Sequence, residues 1–462
     1  MLAPLVVALI FSETDLTLLL SFILPAAFSL ILGYYLIKTI KVKELSWRSA
    51  IFVAALSWLL IPLIGCIPFI FVTKLSFIDA FFDSMSGFTT TGLTMINNVE
   101  TCPNTILFWR SLIQWVGGVG VIVLFLSILA GSGTAAVKLY IAEAHRERIT
   151  PNIIGTVRRI WWIYVFYTCI GVLLLFLAGM PLFDAINHCM CGLATGGFSI
   201  KNSSIGAYNN SYIEIAVVVI MILGSISFAT HYYLLRRHFK AVIKNAELRL
   251  MFFIIILCTF LLSIFLITTG TYSELDSLRT SFFQVTSALS GTGFTTINIS
   301  NLGDFAKVLL TLLMIIGGGY GSTSGAVKLI RSVVMLKAIR LYLKKYLLPE
   351  GAVVQLKIQD RIIEEAEILE AFRFSVLYII FLGFGTFVLM ALGYPFVNSM
   401  FEAASAQGNV GLSAGITSVD LHIIGKIVLI FEMWAGRLEI IPFLVILVHG
   451  LSSISRKFTK SS

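Results

Sequence analysis

The residues best placed to do chemistry in this chain are glycines, and the chemistry is that of bare main chain. Four stretches align without gaps: Ser86-Gly87-Phe88-Thr89-Thr90-Thr91-Gly92-Leu93-Thr94, Cys191-Gly192-Leu193-Ala194-Thr195-Gly196-Gly197-Phe198-Ser199, Ser287-Ala288-Leu289-Ser290-Gly291-Thr292-Gly293-Phe294-Thr295 and Ser405-Ala406-Gln407-Gly408-Asn409-Val410-Gly411-Leu412-Ser413. Each has glycine at position seven (Gly92, Gly197, Gly293, Gly411), an apolar residue at eight and a hydroxyl at nine. The match runs backwards through Asp79-Ala80 and Asp184-Ala185, and through Asp83, His188, Gln284 and Glu402 in one register. Glycine takes φ > 0 without penalty, so successive carbonyls can face one way. Four such stretches around one axis would form a ring of oxygens able to replace the hydration shell of a cation. The residues expected to line it are Thr90, Thr91 and Gly92; Thr195, Gly196 and Gly197; Gly291, Thr292 and Gly293; and Asn409, Val410 and Gly411. One such stretch alone would be read as close helix packing. Four in one register favour the ring.

The residues before each stretch (79–85, 184–190, 281–286 and 399–404) suit one or two helical turns. Their partly negative C-terminal ends would point at the axis and favour cations. Asp83, His188, Gln284 and Glu402 stand nine residues before the glycines and are expected to prop the loops from behind. His188 with Cys189 and Cys191 does not make a metal-site spacing.

A second matched feature lies further on, with Gly117, Gly224, Gly317 and Gly436 at +25, +27, +24 and +25 from the position-seven glycines. In the third case the weak spot widens to Gly317-Gly318-Gly319-Tyr320-Gly321-Ser322-Thr323-Ser324-Gly325. At about 1 kcal/mol of helix propensity lost per glycine, this segment should unwind within the membrane and act as a gate. Without a following Lys-Ser/Thr or a preceding strand it is not a phosphate loop. Lys328 is expected to anchor at the cytoplasmic interface. Arg437, half-way through its span, would repel cations below the ring; the competing reading is a pair with Glu432 or Glu439. Arg110, with Gln114 four residues on, reads as an interfacial clamp.

The elements that must hold these groups are set by composition. Of 462 residues, 58% are hydrophobic and 12% charged, which suits lipid and excludes a soluble enzyme, a secreted scaffold or a disordered chain. The six cysteines form neither a disulfide framework nor a zinc pattern. Stretches long enough for a bilayer core of ~30 Å lie near 16–37, 51–73, 107–130, 160–180, 212–235, 250–269, 306–330, 371–394 and 421–451. Residues 1–11 reach only half-way across, so either the first helix is a half-span or the true start lies upstream, and they are expected to be structural rather than a signal peptide. Of the 33 basic residues, 26 fall in alternate connections, which the positive-inside rule assigns to the cytoplasm. The net charge of +9 is therefore topology, and nucleic acid is excluded as a partner. The expected fold is an all-α integral membrane protein, with four helix–pore-loop–helix repeats in pseudo-fourfold symmetry around one pore. An extra N-terminal helical pair spans 1–46, and the repeats span 47–130, 153–240, 248–345 (with the gating loop) and 370–455.

The sequence Phe77–Gly92 resembles the first pore loop of the Trk/Ktr family of potassium-uptake membrane subunits, and Trp109–Gly118 resembles the helix that follows it. Gly319–Lys328 is similar to the intramembrane loop of the third repeat, and Gly436-Arg437-Leu438-Glu439 to the arginine-bearing fourth helix. The N-terminal pair looks like the Trk branch, while Gln407–Gly411 looks closer to the Ktr form. The resemblance implies a multi-pass protein of the cytoplasmic membrane that takes up K+ through one pore per subunit, with no organic cofactor. It also implies a homodimer regulated by a cytoplasmic nucleotide-binding subunit of the TrkA/KtrA kind. An alternative is a Na+- or H+-coupled secondary transporter, although those usually show paired halves rather than four equal loops. An enzyme would need converging carboxylates, histidines or a metal motif within the spans, and the sequence offers none.

Overall fold

The computed structural model describes residues 1–39, 47–120, 153–270, 272–349, 354–358, 361–440 and 444. Part of the basic clusters (Lys41, Lys43, Lys138, Arg146, Arg148, Arg456, Lys457 and Lys460) and the distal ends of spans 107–130 and 421–451 lie outside the described residues. Helices α1 (Ala3–Ile10) and α2 (Leu16–Thr39) open the chain. The first unit is α3 (Trp47–Gly65), α4 (Ile67–Val72), α5 (Phe77–Phe88) and α6 (Asn104–Val119). The second is α7 (Ile153–Leu177), α8 (Leu182–Leu193), α9 (Ser211–Ser225) and α10 (Phe228–Leu235). After α11 (Phe239–Lys244) come α12 (Ala246–Thr268), α13 (Glu274–Ser290), α14 (Asp304–Ile316) and α15 (Leu329–Lys345). A small antiparallel hairpin, β1 (Lys357–Ile358) with β2 (Arg361–Ile362), precedes α16 (Glu365–Ala391), α17 (Phe396–Gly408) and α18 (Ile423–Arg437).

Five helices among the described residues are long and apolar enough to cross a membrane: Leu16–Thr39, Ser49–Val72, Gly155–Leu177, Ala246–Thr268 and Glu365–Ala391. The helices following the loops are not continuous spans. α9 and α10 meet at 108°, and α14 stops at Gly317, whose φ is +70°. Span 212–235, read as one crossing from hydropathy, is thus two pieces, because apolarity alone does not report a turn, whereas span 306–330 breaks where Gly317–Gly325 was expected to unwind. The short helices α5, α8, α13 and α17 are in turn longer than one or two turns, at 12, 12, 17 and 13 residues. Their starts explain this. Ser76 and Ser273 accept from the amides of Asp79 and Asp276, while Pro181 and Pro395 stand at the N-cap positions of α8 and α17. The segment after α1 supplies a further cap. There Glu13 accepts from the amides of Asn104 (2.7 Å) and Thr105 (3.1 Å) and holds the start of α6 from 91 residues away.

Apolar cores lie behind the loops. Phe22, Trp58, Phe69, Phe82 and Trp109 pack behind the first, and Leu310, Met314, Phe401 and Val410 between the third and fourth. Near the outer ends, polar contacts bind the units in cyclic order, from the fourth residue of one outgoing helix to the short helix of the next unit. Glu214 takes Arg279 through both oxygens (2.7 Å each), Lys307 reaches Asn398 (3.0 Å), and Lys426 pairs with Asp79 (2.6 Å), closing the fourth unit on the first. Arg110 on the Ser199 carbonyl (2.9 Å) completes the circuit between first and second. The Asp79–Lys426 pair is buried on both sides. Asp79→Ala is therefore expected to destabilise the protein by about 3–5 kcal/mol, because it strands a buried lysine. Thermal unfolding in detergent checks this, and the double substitution Asp79→Leu/Lys426→Met should recover most of the loss.

Candidate ion-pathway site

Each short helix ends in the same pair of backbone bonds. The amide at position five reaches the carbonyl at two (3.1, 3.1, 3.3 and 3.2 Å for Thr90, Thr195, Gly291 and Asn409). The amide at six reaches the carbonyl at one (2.8, 2.8, 3.0 and 2.9 Å for Thr91, Gly196, Thr292 and Val410). This is a Schellman ending, with position five left-handed: φ is 58° at Thr90, 52° at Thr195, 73° at Gly291 and 53° at Asn409. Position seven is left-handed again, at 95°, 73°, 82° and 97° for Gly92, Gly197, Gly293 and Gly411. The sequence announced the second of these sites but not the first. Gly291 and Asn409 suit the left-handed region, whereas a β-branched threonine is an outlier there, so Thr90 and Thr195 gave no signal.

The loops close into a ring. A Cβ added at Gly92 would come within 3.0 Å of the Gly196 carbonyl oxygen, at Gly197 of the Thr292 oxygen, at Gly293 of the Val410 oxygen and at Gly411 of the Thr91 oxygen. Every position-seven α-carbon therefore lies against the position-six carbonyl of the next unit, and the fourth returns to the first. A vestibule of about 570 Å³ opens from the ring, lined by all four glycines and by Thr94, Ser199, Thr295 and Ser413.

The exit strands are tied back to the short helices. Asp83 accepts from the Thr94 hydroxyl (2.6 Å) and the Met95 amide (2.7 Å), and His188 Nε2 pairs with the Ser199 hydroxyl (2.9 Å). Gln284 donates to the Thr296 hydroxyl (3.3 Å), and Glu402 accepts from the Ser413 hydroxyl (2.8 Å) and the amides of Ala414 and Thr417 (2.9 Å each). The hydroxyls of Ser86 and Ser405 take the amides of Gly92 and Gly411 at 3.0 Å. Arg110 clamps the second loop through the Ser199 carbonyl. It is buried, with its guanidinium 4.1 Å over the Phe198 ring. Gln114, likewise buried, donates to the Gly196 carbonyl (2.6 Å) and accepts from the Phe198 amide (3.0 Å). It occupies the space where the other loops carry a position-six side chain, since Gly196 has none. Gln114 thus braces the second loop in place of the side chain that Gly196 lacks.

Beneath the ring the outgoing helices halt. The mid-span glycines are not simply weak points. A Cβ at Gly117, Gly224 or Gly436 would come within 3.0 Å of the carbonyl of Phe88, Leu193 or Gln407, position three of their own loops. They allow close approach, and the break follows within a few residues. In the third unit Gly317–Gly325 is non-helical and held on all sides. Gly319 donates to the Ser225 carbonyl (2.8 Å), Gly318 to the Ser324 hydroxyl (3.1 Å), and Gly321 accepts from the Phe228 amide (3.0 Å). The Ser322 hydroxyl donates to the Gly319 carbonyl (2.7 Å). Thr323 donates to the carbonyls of Leu193 (3.0 Å) and Gly224 (2.9 Å) and accepts from the Thr195 hydroxyl (3.1 Å). A Cβ at Gly325 would come within 3.0 Å of the Gly408 carbonyl.

Arg437 joins these parts. Its guanidinium donates to the carbonyls of Gly117, Gly118 (3.3 Å) and Thr323 (3.1 Å) and to the Thr90 hydroxyl (3.3 Å). Glu439 pairs instead with Lys328 (2.6 Å) and Arg331 (2.5 Å), so Lys328 is one arm of a largely shielded triad. Glu432 has no hydrogen-bond partner on either oxygen among the described residues. Nor do the described residues contain a cluster of three or more His, Cys, Asp or Glu side chains able to hold a metal ion.

Residues 26–455 match the TrkH family, described as cation transport protein. The chain is a member of the TrkH family. It is 40% identical, over 96% of its length and 91% of the relative's, to an uncharacterized cation transporter of Methanocaldococcus jannaschii. It is 32% identical to the Trk system potassium uptake protein TrkH of Escherichia coli, over 87% of this chain and 86% of that one. The crystal structure of the potassium transporter TrkH from Vibrio parahaemolyticus superposes with a TM-score of 0.84 at 30% identity, covering 96% of this chain and 94% of that one. The all-α, helix–loop–helix architecture is thus that of the TrkH family. The chain is a multi-pass protein of the cytoplasmic membrane, and a TrkH-family transport protein rather than an enzyme.

Proposed function

We propose that this chain passes potassium into the cell through a channel-like pore whose selectivity filter is the main chain of residues 90–92, 195–197, 291–293 and 409–411. The observation that carries the reading is the closed circuit of glycine against carbonyl around all four units. Main chain held that rigidly can present oxygens at the spacing of a dehydrated alkali ion, with the Schellman endings and buried props fixing each strand. Gly317, Gly318, Gly319, Gly321, Ser322, Thr323, Ser324 and Gly325 then form the gate beneath it, with Arg437 as its tie. The chain works as a homodimer on a cytoplasmic nucleotide-binding subunit, which acts on this gate.

Purified protein in liposomes tests the reading. Rubidium uptake should follow the potassium gradient alone and be blocked poorly by sodium. Uptake that requires an imposed sodium or proton gradient would make the protein a coupled transporter instead. Gln114→Ala should lower potassium-over-sodium selectivity several-fold, since it leaves the Gly196 carbonyl and the Phe198 amide without their partner, at about 1–3 kcal/mol for each buried orphan. An unchanged permeability ratio would remove Gln114 from the filter's support.

A further inference from the structure

We propose that Glu432 is a proton-binding site inside the membrane, held as a neutral acid between α16, α17 and α18 behind the fourth loop. Glu432 is fully buried on α18, and neither carboxyl oxygen has a hydrogen-bond partner among the described residues. The carboxyl lies against Gly385 of α16, where an added Cβ would come within 3.0 Å of both its oxygens; the glycine makes the room. Two turns earlier on α16, the buried Tyr378 hydroxyl is also without a partner, and an added Cβ at Gly408 of α17 would meet it at 3.4 Å. Gln407 of α17 spends its amide nitrogen on the Tyr378 carbonyl (2.9 Å), which leaves its own carbonyl oxygen bare.

The surrounding charged groups are engaged elsewhere. On α18, Lys426 pairs with Asp79 of α5, and Arg437 donates to Gly117, Gly118 and Thr323. Glu439, just past α18, holds Lys328 and Arg331. Asp83 of α5 takes Thr94 and Met95, and Glu402 of α17 takes Ser413, Ala414 and Thr417.

Donor counting then favours the acid. Ionised, Glu432 and Gln407 would hold three acceptor oxygens with no hydrogen-bond donor on any of them among the described residues. A proton taken from water forms one O–H bond on Glu432, supplies the missing donor and removes a charge that no ion pair among the described residues offsets. Buried carboxyls without a partner neutralise in this way.

Infrared difference spectroscopy of the full chain in liposomes reads the proton directly. At neutral pH the wild type should show a protonated-carboxyl C=O stretch that shifts down in D2O and persists when potassium is replaced by N-methylglucamine. Glu432→Gln should remove it. Absence of the band in the wild type overturns the proposal even if Glu432→Gln fails to insert. So does a band that survives Glu432→Gln. A band that appears only when alkali ions are withdrawn would assign the site to a metal cation and overturn it equally.

Discussion

Gly293→Ala is expected to reduce potassium-over-sodium discrimination by about tenfold or more, equivalent to roughly 1.4 kcal/mol between the two ions. Two costs act together. An L-residue at φ 82° carries about 1–2 kcal/mol of left-handed strain. The new methyl would also stand within 3.0 Å of the Val410 carbonyl oxygen, which is main chain and cannot rotate away like a flexible side chain. Val410 must move, and with it one quarter of the ring. Gly383→Ala is the control, since its added Cβ meets nothing within 4 Å. Bi-ionic permeability ratios in liposomes decide the matter, and a wild-type ratio in Gly293→Ala would show that the ring does not set selectivity.

The second large effect is expected at Arg437. Its removal takes away charge-assisted bonds to Gly117, Gly118, Thr323 and Thr90, each of the kind worth about 1.5–3 kcal/mol. Arg437→Ala should raise unidirectional rubidium flux on the order of tenfold, since that is what loss of even one such bond gives if the tie holds the path shut. Arg437→Lys separates charge from geometry. A lysine keeps the positive charge but cannot spread its donors over three carbonyls, so its flux should lie nearer the alanine value. Slower flux in both variants at normal insertion would mean that the arginine serves the open path instead.

Legibility in the sequence followed repetition. The position-seven glycines stood out because one residue type returns four times in one register, and the props at Asp83, His188, Gln284 and Glu402 were readable because four different polar residues fall at that same distance before them. Position five was hidden, since backbone geometry common to all four loops is carried there by two threonines, a glycine and an asparagine. Gln114 was misread because its partners lie 82 and 84 residues away in another unit, beyond any local pattern. The pairing of Lys328 was hidden for a related reason: positive charge near a span end is the usual sign of an interface, and Glu439 is 111 residues distant. The short helices were undersized because serine, threonine and aspartate read as loop, yet here they face protein rather than lipid.

The circuit of four loops has a consequence for how such a pore can change. In an assembly of identical subunits every substitution is multiplied by four, so a single codon either leaves the whole aperture alone or rebuilds it entirely. Here one polypeptide supplies all four quadrants, and each position around the opening can be altered independently. The glutamine brace behind Gly196 is one such solitary adjustment. Under the proposed filter, ion preference can therefore move in quarter steps.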